Sequence, residues 1–210
     1  MTPSFPSFAC WILCSYVLGF GSLVGQSAQQ WTRKAKELSL QGEYAAAAEA
    51  YEAALQGNRR SAENHFYQGI CYFELGQHEK ALRSFTWAIA IRPGVALYHD
   101  YRGRSRVEVG EFEAAMADYD LAVRQAGALH RGEYLYHRGL CHAHLGDHVA
   151  AIADFDRAIS QDDRIGDYFR SRGECKLAIE EQAGACADFQ AALERHAFNA
   201  RYLIDTYCQD

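Results

Sequence analysis

GEYAAAAEAYEAAL (residues 42–55), GQHEKALRSFTWAI (76–89), GEFEAAMADYDLAV (110–123) and GDHVAAIADFDRAI (146–159) are four versions of one phrase. A fifth version, EEQAGACADFQAAL, occupies residues 180–193. Gly42, Gly76 and Gly110 are spaced by 34 residues, and Gly146 follows after 36. A second glycine series, Gly69, Gly103, Gly139 and Gly173, is spaced by 34, 36 and 34. Both series take a two-residue insertion between the third and fourth copies, so the copies are structural units of a tandem array.

Numbered from Ala28, the repeat resembles the tetratricopeptide repeat family, whose period is 34 residues. Trp31 supplies the aromatic start in the first copy. Position eight is Ala35, Gly69, Gly103, Gly139 and Gly173; position twenty is Ala47, Ala81, Ala115, Ala151 and Ala185. Position twenty-four is Tyr51, Phe85, Tyr119, Phe155 and Phe189; position twenty-seven is Ala54, Ala88, Ala122, Ala158 and Ala192. The terminal proline survives only as Pro93, and the fifth copy carries Glu180 where the others have the turn glycine. The resemblance covers residues 28–199. It implies an all-α fold: a right-handed α-solenoid of five helix-turn-helix repeats (28–61, 62–95, 96–129, 132–165 and 166–199). Residues 200–210 then form a C-terminal capping helix, with Tyr202 and Leu203 in the register of a further first helix.

Each repeat is expected to be two antiparallel helices, A and B. The expected spans are 29–40 and 44–55, 62–75 and 78–91, 96–109 and 112–125, 132–145 and 148–160, and 166–180 and 182–194, with no strand. A glycine inside a helix costs about 1 kcal/mol against alanine, so four at one repeat position need a packing reason. They are expected to let helix A approach the alanines at positions twenty and twenty-seven, with the aromatic at twenty-four beside that contact. Gly42, Gly76, Gly110 and Gly146 suit the left-handed residue that ends a helix. One repeat cannot bury its own apolar face, so neighbours must stack into a superhelix with a concave side.

Working outward, residues 1–30 contain no Lys, Arg, Asp or Glu, and the first charge is Arg33. The runs ACWILC (9–14) and YVLGFGSLV (16–24) are followed by Gly25, Ser27 and Ala28, the order of a secretory signal peptide over residues 1–28. The chain is then exported, periplasmic or secreted; an uncleaved membrane anchor through residues 8–24 is the alternative, and only that form meets a membrane. The chain carries 21 basic and 27 acidic residues with no dense Lys/Arg run. It lacks the basic footprint that neutralises phosphates, which argues against a nucleic-acid partner.

No P-loop, G-x-S-x-G or C-x-x-C occurs, no cofactor is implied, and no enzyme is expected. Of the seven cysteines, Cys71, Cys141 and Cys175 share position ten of helix A, a packing register for a small apolar group. His144 and His148 have the i, i+4 spacing of helical metal ligands, but Gly146 breaks the helix between them, so no metal site is expected. The runs DYD (118–120) and DFD (154–156) lie within helix B, where consecutive side chains diverge and make a poor cation cage.

In the family the concave groove is lined by helix A at positions two, five, nine, twelve and thirteen. Carried onto this chain, the candidate peptide-binding residues are Lys36, Phe66, Ile70, Phe73, Asp100, Arg104, Val107, Tyr136, Leu140, Arg170 and Glu174. Phe66, Ile70 and Phe73 either form a solvent-facing apolar patch or pack inward. The family's clamp for a chaperone-tail carboxylate needs Lys and Asn at positions five and nine of the first repeat and Asn at nine of the second. Thr32, Lys36 and Ile70 stand there instead. The resemblance therefore implies a non-catalytic scaffold or adaptor that binds a peptide or helical segment of a protein partner in its groove. The alternative is a structural subunit of an envelope or secretion assembly that contacts partners through its convex face.

Three structural expectations follow from comparing the repeats with one another. The two extra residues within 125–133 should relax stacking between the third and fourth repeats and change the curvature there. Cys175 and Cys186 fall across from each other in the fifth helix pair and can bridge in an oxidising compartment, although five cysteines past the leader do not look like a disulfide framework. Finally, position seven is Arg102, Arg138 and Arg172, and position twenty-three is Asp118, Asp154 and Asp188, in the last three repeats only. Each Arg is expected to bridge the Asp of its own repeat through a bidentate pair.

Overall fold

The computed structural model of the protein describes residues 27–127 and 130–208. Helices and short turns account for all of them, and no strand occurs among the described residues. The expected leader lies outside them except for Ser27 and Ala28, which already belong to the first helix. Ala28 is buried there, and its carbonyl accepts the Thr32 hydroxyl at 3.0 Å.

Two compact units divide at Ile91 and Arg92. The first contains α1 (27–40), α2 (Tyr44–Gly57), α3 (Ala62–Glu74) and α4 (His78–Ile91). The second contains α5 (Ala96–Glu108), α6 (Phe112–Gln125), α7 (Arg131–His144), α8 (His148–Gln161), α9 (Gly166–Ala178), α10 (Gln182–Glu194) and α11 (Ala200–Tyr207). The ten repeat helices lie within two residues of the spans expected from the turn glycines. In each unit helix A packs on its own helix B, and helix B on the helix A that follows; α11 packs on α10.

The turns show why the spacing is legible. Gly146 has φ +82°, and Asp147 N donates to His142 O at 2.9 Å, closing α7 with the six-to-one bond of a Schellman end. The fifth repeat keeps this backbone without glycine: Glu180 sits at φ +64°, and Glu181 N donates to Lys176 O at 2.8 Å. The helix B that follows is capped in the fourth repeat by Asp147, whose carboxylate accepts Ala150 N at 3.0 Å.

Position eight works differently from the expectation. The nearest group to the missing side chain is the aromatic ring at position twenty-four; an alanine at position twenty comes next only at Gly173, where the Ala185 carbonyl is 3.2 Å from the added Cβ. A Cβ added at Gly139 would lie 2.7 Å from Phe155 Cε1, and one at Gly173 would lie 2.6 Å from Phe189 Cε1. One side of each ring abuts the glycine of its own repeat, and the ring is buried there. The alanines at twenty and twenty-seven are buried too, and they let the neighbouring repeat approach. Cys141 packs on Ala115 and Tyr119, and Cys175 packs on Ala151 and Phe155. Position ten of one repeat thus plugs the space between positions twenty and twenty-four of the repeat before it.

That contact recurs on both sides of the two-residue insertion, so the expected loosening between the third and fourth repeats is not found. The helices on either side of the insertion keep the standard register, and Ala126, just past α6, packs with Ala122 and Tyr134.

The three Arg–Asp pairs are present. Arg102 Nε and Nη2 donate to Asp118 Oδ2 and Oδ1 at 2.9 and 2.6 Å. Arg138 makes the same pair with Asp154 at 2.7 and 2.5 Å, and Arg172 with Asp188 at 2.9 and 2.5 Å. The second Asp of each D-aromatic-D run, which the sequence left unexplained, completes a ladder. Arg138 Nη1 donates to Asp120 of the third repeat, and Arg172 Nη1 to Asp156 of the fourth, each at 2.5 Å. One guanidinium thereby ties its own helix pair together and fastens it to the preceding repeat.

The expected Cys175–Cys186 bridge is replaced by another. Cys186 is bonded to Cys208, with Cα atoms 5.6 Å apart, and Cys175 is a free, buried thiol. The reason is direction: position ten points at the preceding repeat, away from its own helix B. Cys186 instead faces α11, which is also held by Gln182 Nε2 donating to Tyr207 O at 2.8 Å.

Candidate binding site

Helix A presents its candidate residues in three ways. Phe66 and Asp100 are corrections to the open-groove reading, at 4% and 1% exposure. The Phe66 ring is 5.7 Å from the Phe85 ring inside the second repeat, so the inward-packing alternative holds for this residue. Ile70 and Phe73 are half-buried, with Phe73 edge-on to His78 at 5.3 Å. Asp100 is consumed internally, since His137 Nδ1 lies 2.8 Å from its Oδ1 and joins the third repeat to the fourth.

The remaining candidates reach the surface. Lys36 is exposed, its ammonium 5.5 Å above the Tyr67 ring. Arg104 lies over Tyr101 at 4.8 Å, and Val107 is half-buried beside it. Leu140 packs against the Phe155–Cys175 cluster. Arg170 is strung between Asp167 at 3.1 Å and Glu174 at 2.8 Å, all on one face of α9.

Tyr136 stands at the centre of this face. Its ring is 4.9 Å from Tyr168 and 5.7 Å from Phe155, and its hydroxyl lies 3.4 Å from Ser171 Oγ. Burial pushes its phenol above the usual range, while the Ser171 hydrogen bond works the other way. It forms the floor of an open cavity of about 820 Å³, whose rim includes Glu133, His137, Asp162, Arg164, Asp167 and Tyr168. Glu133 and Asp167 fill position two of the family's groove pattern and join Tyr136 in the lining, beyond the candidates at positions five, nine and twelve.

A second depression, of about 500 Å³, lies in the first unit. It is lined by His65, Tyr72, Lys80, Arg83 and Trp87 among others. Trp87 is 61% exposed on helix B and stacks on His65 at 6.0 Å.

Neither place assembles a nucleophile with a base. Burial pushes the Cys141 thiol up to about 12 and the Cys175 thiol, with help from Glu174, up to about 11, so both stay protonated at neutral pH. The histidines serve as packing and pairing groups: His144 stacks on Phe112 at 4.7 Å, and His142 Nε2 lies 4.0 Å from Asp154. Among the described residues no group of three His, Cys, Asp or Glu side chains is placed to hold a metal ion. None of their helices is long and apolar enough to cross a membrane.

The sequence profile of the tetratricopeptide repeat family matches residues 32–96 and 102–168. The tetratricopeptide repeat and J domain-containing co-chaperone DNJ1 of Cryptococcus neoformans var. grubii is 32% identical over 102 residues, 49% of this chain. The chain spans about a fifth of that relative's length, 19%. Among solved structures, MamA superimposes with a TM-score of 0.76 at 20% identity, over 85% of this chain and 96% of its own. YrrB, described as a TPR protein with an unusual peptide-binding site, gives 0.68 at 21% identity over 79% and 84%.

Proposed function

This chain belongs to the tetratricopeptide repeat family, and we propose that it holds an extended or helical segment of a protein partner along its helix A face. Repeats of this family are generally non-catalytic interaction scaffolds, and scaffolding is the role of this fold. The single observation that carries the finer reading is the open Tyr136 cavity, whose lining includes groove positions two and five (Glu133, Asp167 and Tyr136) beside the turn that joins α8 to α9. The co-chaperone relative, which joins such repeats to a J domain, supports a protein partner.

The place of action is proposed to be an exported, oxidising compartment. The charge-free apolar leader supports this, and so does the Cys186–Cys208 bridge, because structural disulfides persist where thiols are not kept reduced. A second reading rests on Trp87: an exposed tryptophan on helix B beside Arg83 and Lys80 suits a contact through the opposite, convex side, as a subunit of a larger envelope or secretion assembly.

A pull-down from native extract separates the two. Tyr136→Ala with Glu174→Lys should lose the partner, and Trp87→Ala should keep it. The reverse result would transfer the contact to the helix B side.

A further inference from the structure

The charge of the protein is divided unequally between its two units. Up to Ile91 there are 7 basic and 7 acidic residues, whereas from Arg92 on there are 14 and 20. The whole net charge of −6 therefore belongs to the second unit. Many of that unit's cations are already committed: Arg102, Arg138 and Arg172 to the ladder, Arg106 to Asp118 at 2.7 Å, and Lys176 to Asp188 at 2.9 Å.

The Tyr136 cavity concentrates this excess. Its rim carries Glu133, Asp162 and Asp167 against one cation, Arg164, which Asp162 clamps through two bonds of 2.8 Å. Asp167 shares Arg170 with Glu174. Glu133 is exposed in the first turn of α7, and among the described residues no cation lies within ion-pair distance of it. His137, the other basic group on the rim, is turned to Asp100. Burial first, then the carboxylates of Glu133 and Asp162, push the Tyr168 phenol up to about 12. Tyr136 and Tyr168 line the same cavity with their rings 4.9 Å apart, an aromatic wall of the kind that receives a cation together with its methylene stem.

We propose that this cavity receives a lysine or arginine side chain of an extended partner segment, its stem over the Tyr136 ring and its charge against Glu133. The inference rests on the groove reading above and adds the chemistry of the segment: basic at the residue that enters between α7 and α9. Opposite charge across a contact raises the encounter rate and rejects acidic competitors, so binding weakens as salt is added.

The test uses the full chain. A random 12-residue peptide library is panned on it at low salt. The best peptide is then labelled with fluorescein and titrated against wild type, Glu133→Lys and Glu133→Gln, with helicity checked by circular dichroism. The expected peptides share one Lys or Arg. Glu133→Lys should weaken binding at least tenfold and Glu133→Gln several-fold. Replacing the peptide's basic residue by norleucine should erase the difference between the three proteins. Peptides that bind equally well to all three, or without a basic residue, would overturn the cavity assignment and leave the groove reading standing. Failure to enrich any peptide would overturn both.

Discussion

Arg138 and Asp154 face each other across the fourth helix pair through two parallel hydrogen bonds, Nε to Oδ2 at 2.7 Å and Nη2 to Oδ1 at 2.5 Å. Asp154 is almost fully buried and Arg138 about four-fifths so. These bonds and Asp120 hold the guanidinium pKa above its ordinary value. Removing one partner of a buried pair strands the other, at a cost of ~3–5 kcal/mol. Asp154→Ala should lie at the lower end, about 3 kcal/mol, because Asp120 still holds Nη1 at 2.5 Å. Urea unfolding of both single variants and the double variant checks it, and absence of coupling between the two sites would remove the pair from the account of stability.

The cation at position eleven gives a gain-of-stability prediction. Arg106 and Lys176 both reach the Asp at position twenty-three of their repeats, at 2.7 and 2.9 Å, while His142 stands 4.0 Å from Asp154. His142→Lys should supply the missing permanent charge and stabilise the protein by about 0.5–1 kcal/mol at pH 8. The gain should be absent in an Asp154→Asn background, where the thermal midpoints of the two proteins should coincide.

Gly139 should not tolerate a methyl group as built. With Phe155 Cε1 2.7 Å from the new Cβ, Gly139→Ala must push a buried ring; overpacking of this kind costs ~1–3 kcal/mol. Ala35 occupies the same repeat position in the first unit, opposite Tyr51, and both are buried. A pair built around the methyl is therefore compatible with the fold, and Phe155→Leu should recover part of the loss. An unchanged unfolding midpoint for Gly139→Ala would show that the ring moves freely.

The repeat period carried most of this architecture in plain view. Every turn inside a repeat is marked by a glycine or its substitute Glu180, and every helix pair by one position-eight and one position-twenty-four residue, so helix ends are legible to within two residues. The Arg–Asp pairs were legible because each arginine and its aspartate appear together or not at all within one chain. What escaped was contact between repeats, which a period of 34 does not reveal. Asp120 and Asp156 read as an unexplained second carboxylate until the next repeat's arginine was beside them. Register alone sets Cys175 across from Cys186 in its own helix pair, whereas position ten points at Ala151 and Phe155 of the preceding one. Register puts Asp100 on the groove, and only its contact with His137 of the next repeat takes it off.

The Cys186–Cys208 bridge closes a loop of 22 residues that holds α11 on α10. Loop closure of that size is worth about 3 kcal/mol. Cys208→Ser should therefore lower the unfolding midpoint, and hydrogen exchange should quicken first in α11 and then in α10. Mass spectrometry of the protein under non-reducing conditions should find the 186–208 peptide pair and leave Cys71, Cys141 and Cys175 unmodified by alkylating reagents until it unfolds. Alkylation of Cys208 in the native protein would contradict the bridge.

Asp118 gives the array an acid limit. Burial works against its ionised form, but hydrogen bonds from His99 and Arg102 and the charge of Arg106 outweigh it, so its carboxyl sits below the ordinary range. A folded value below the unfolded one, about 3.9, means that the unfolded chain binds the extra proton as pH falls. The contribution of Asp118 is then fully present above about pH 5 and is lost as pH descends through the folded value. Asp118→Asn should cost about 2 kcal/mol at pH 7, the scale of a hydrogen bond to a charged partner. Between pH 5 and pH 3 the wild-type advantage should shrink, because protonated Asp118 pairs no better than asparagine with the two arginines. Urea midpoints of both proteins at pH 7, 5, 4 and 3 measure this directly. A gap that stayed constant down to pH 3 would mean that Asp118 titrates alike in the folded and unfolded chain, and a gap that widened on acidification would reverse the sign; either result overturns the assignment.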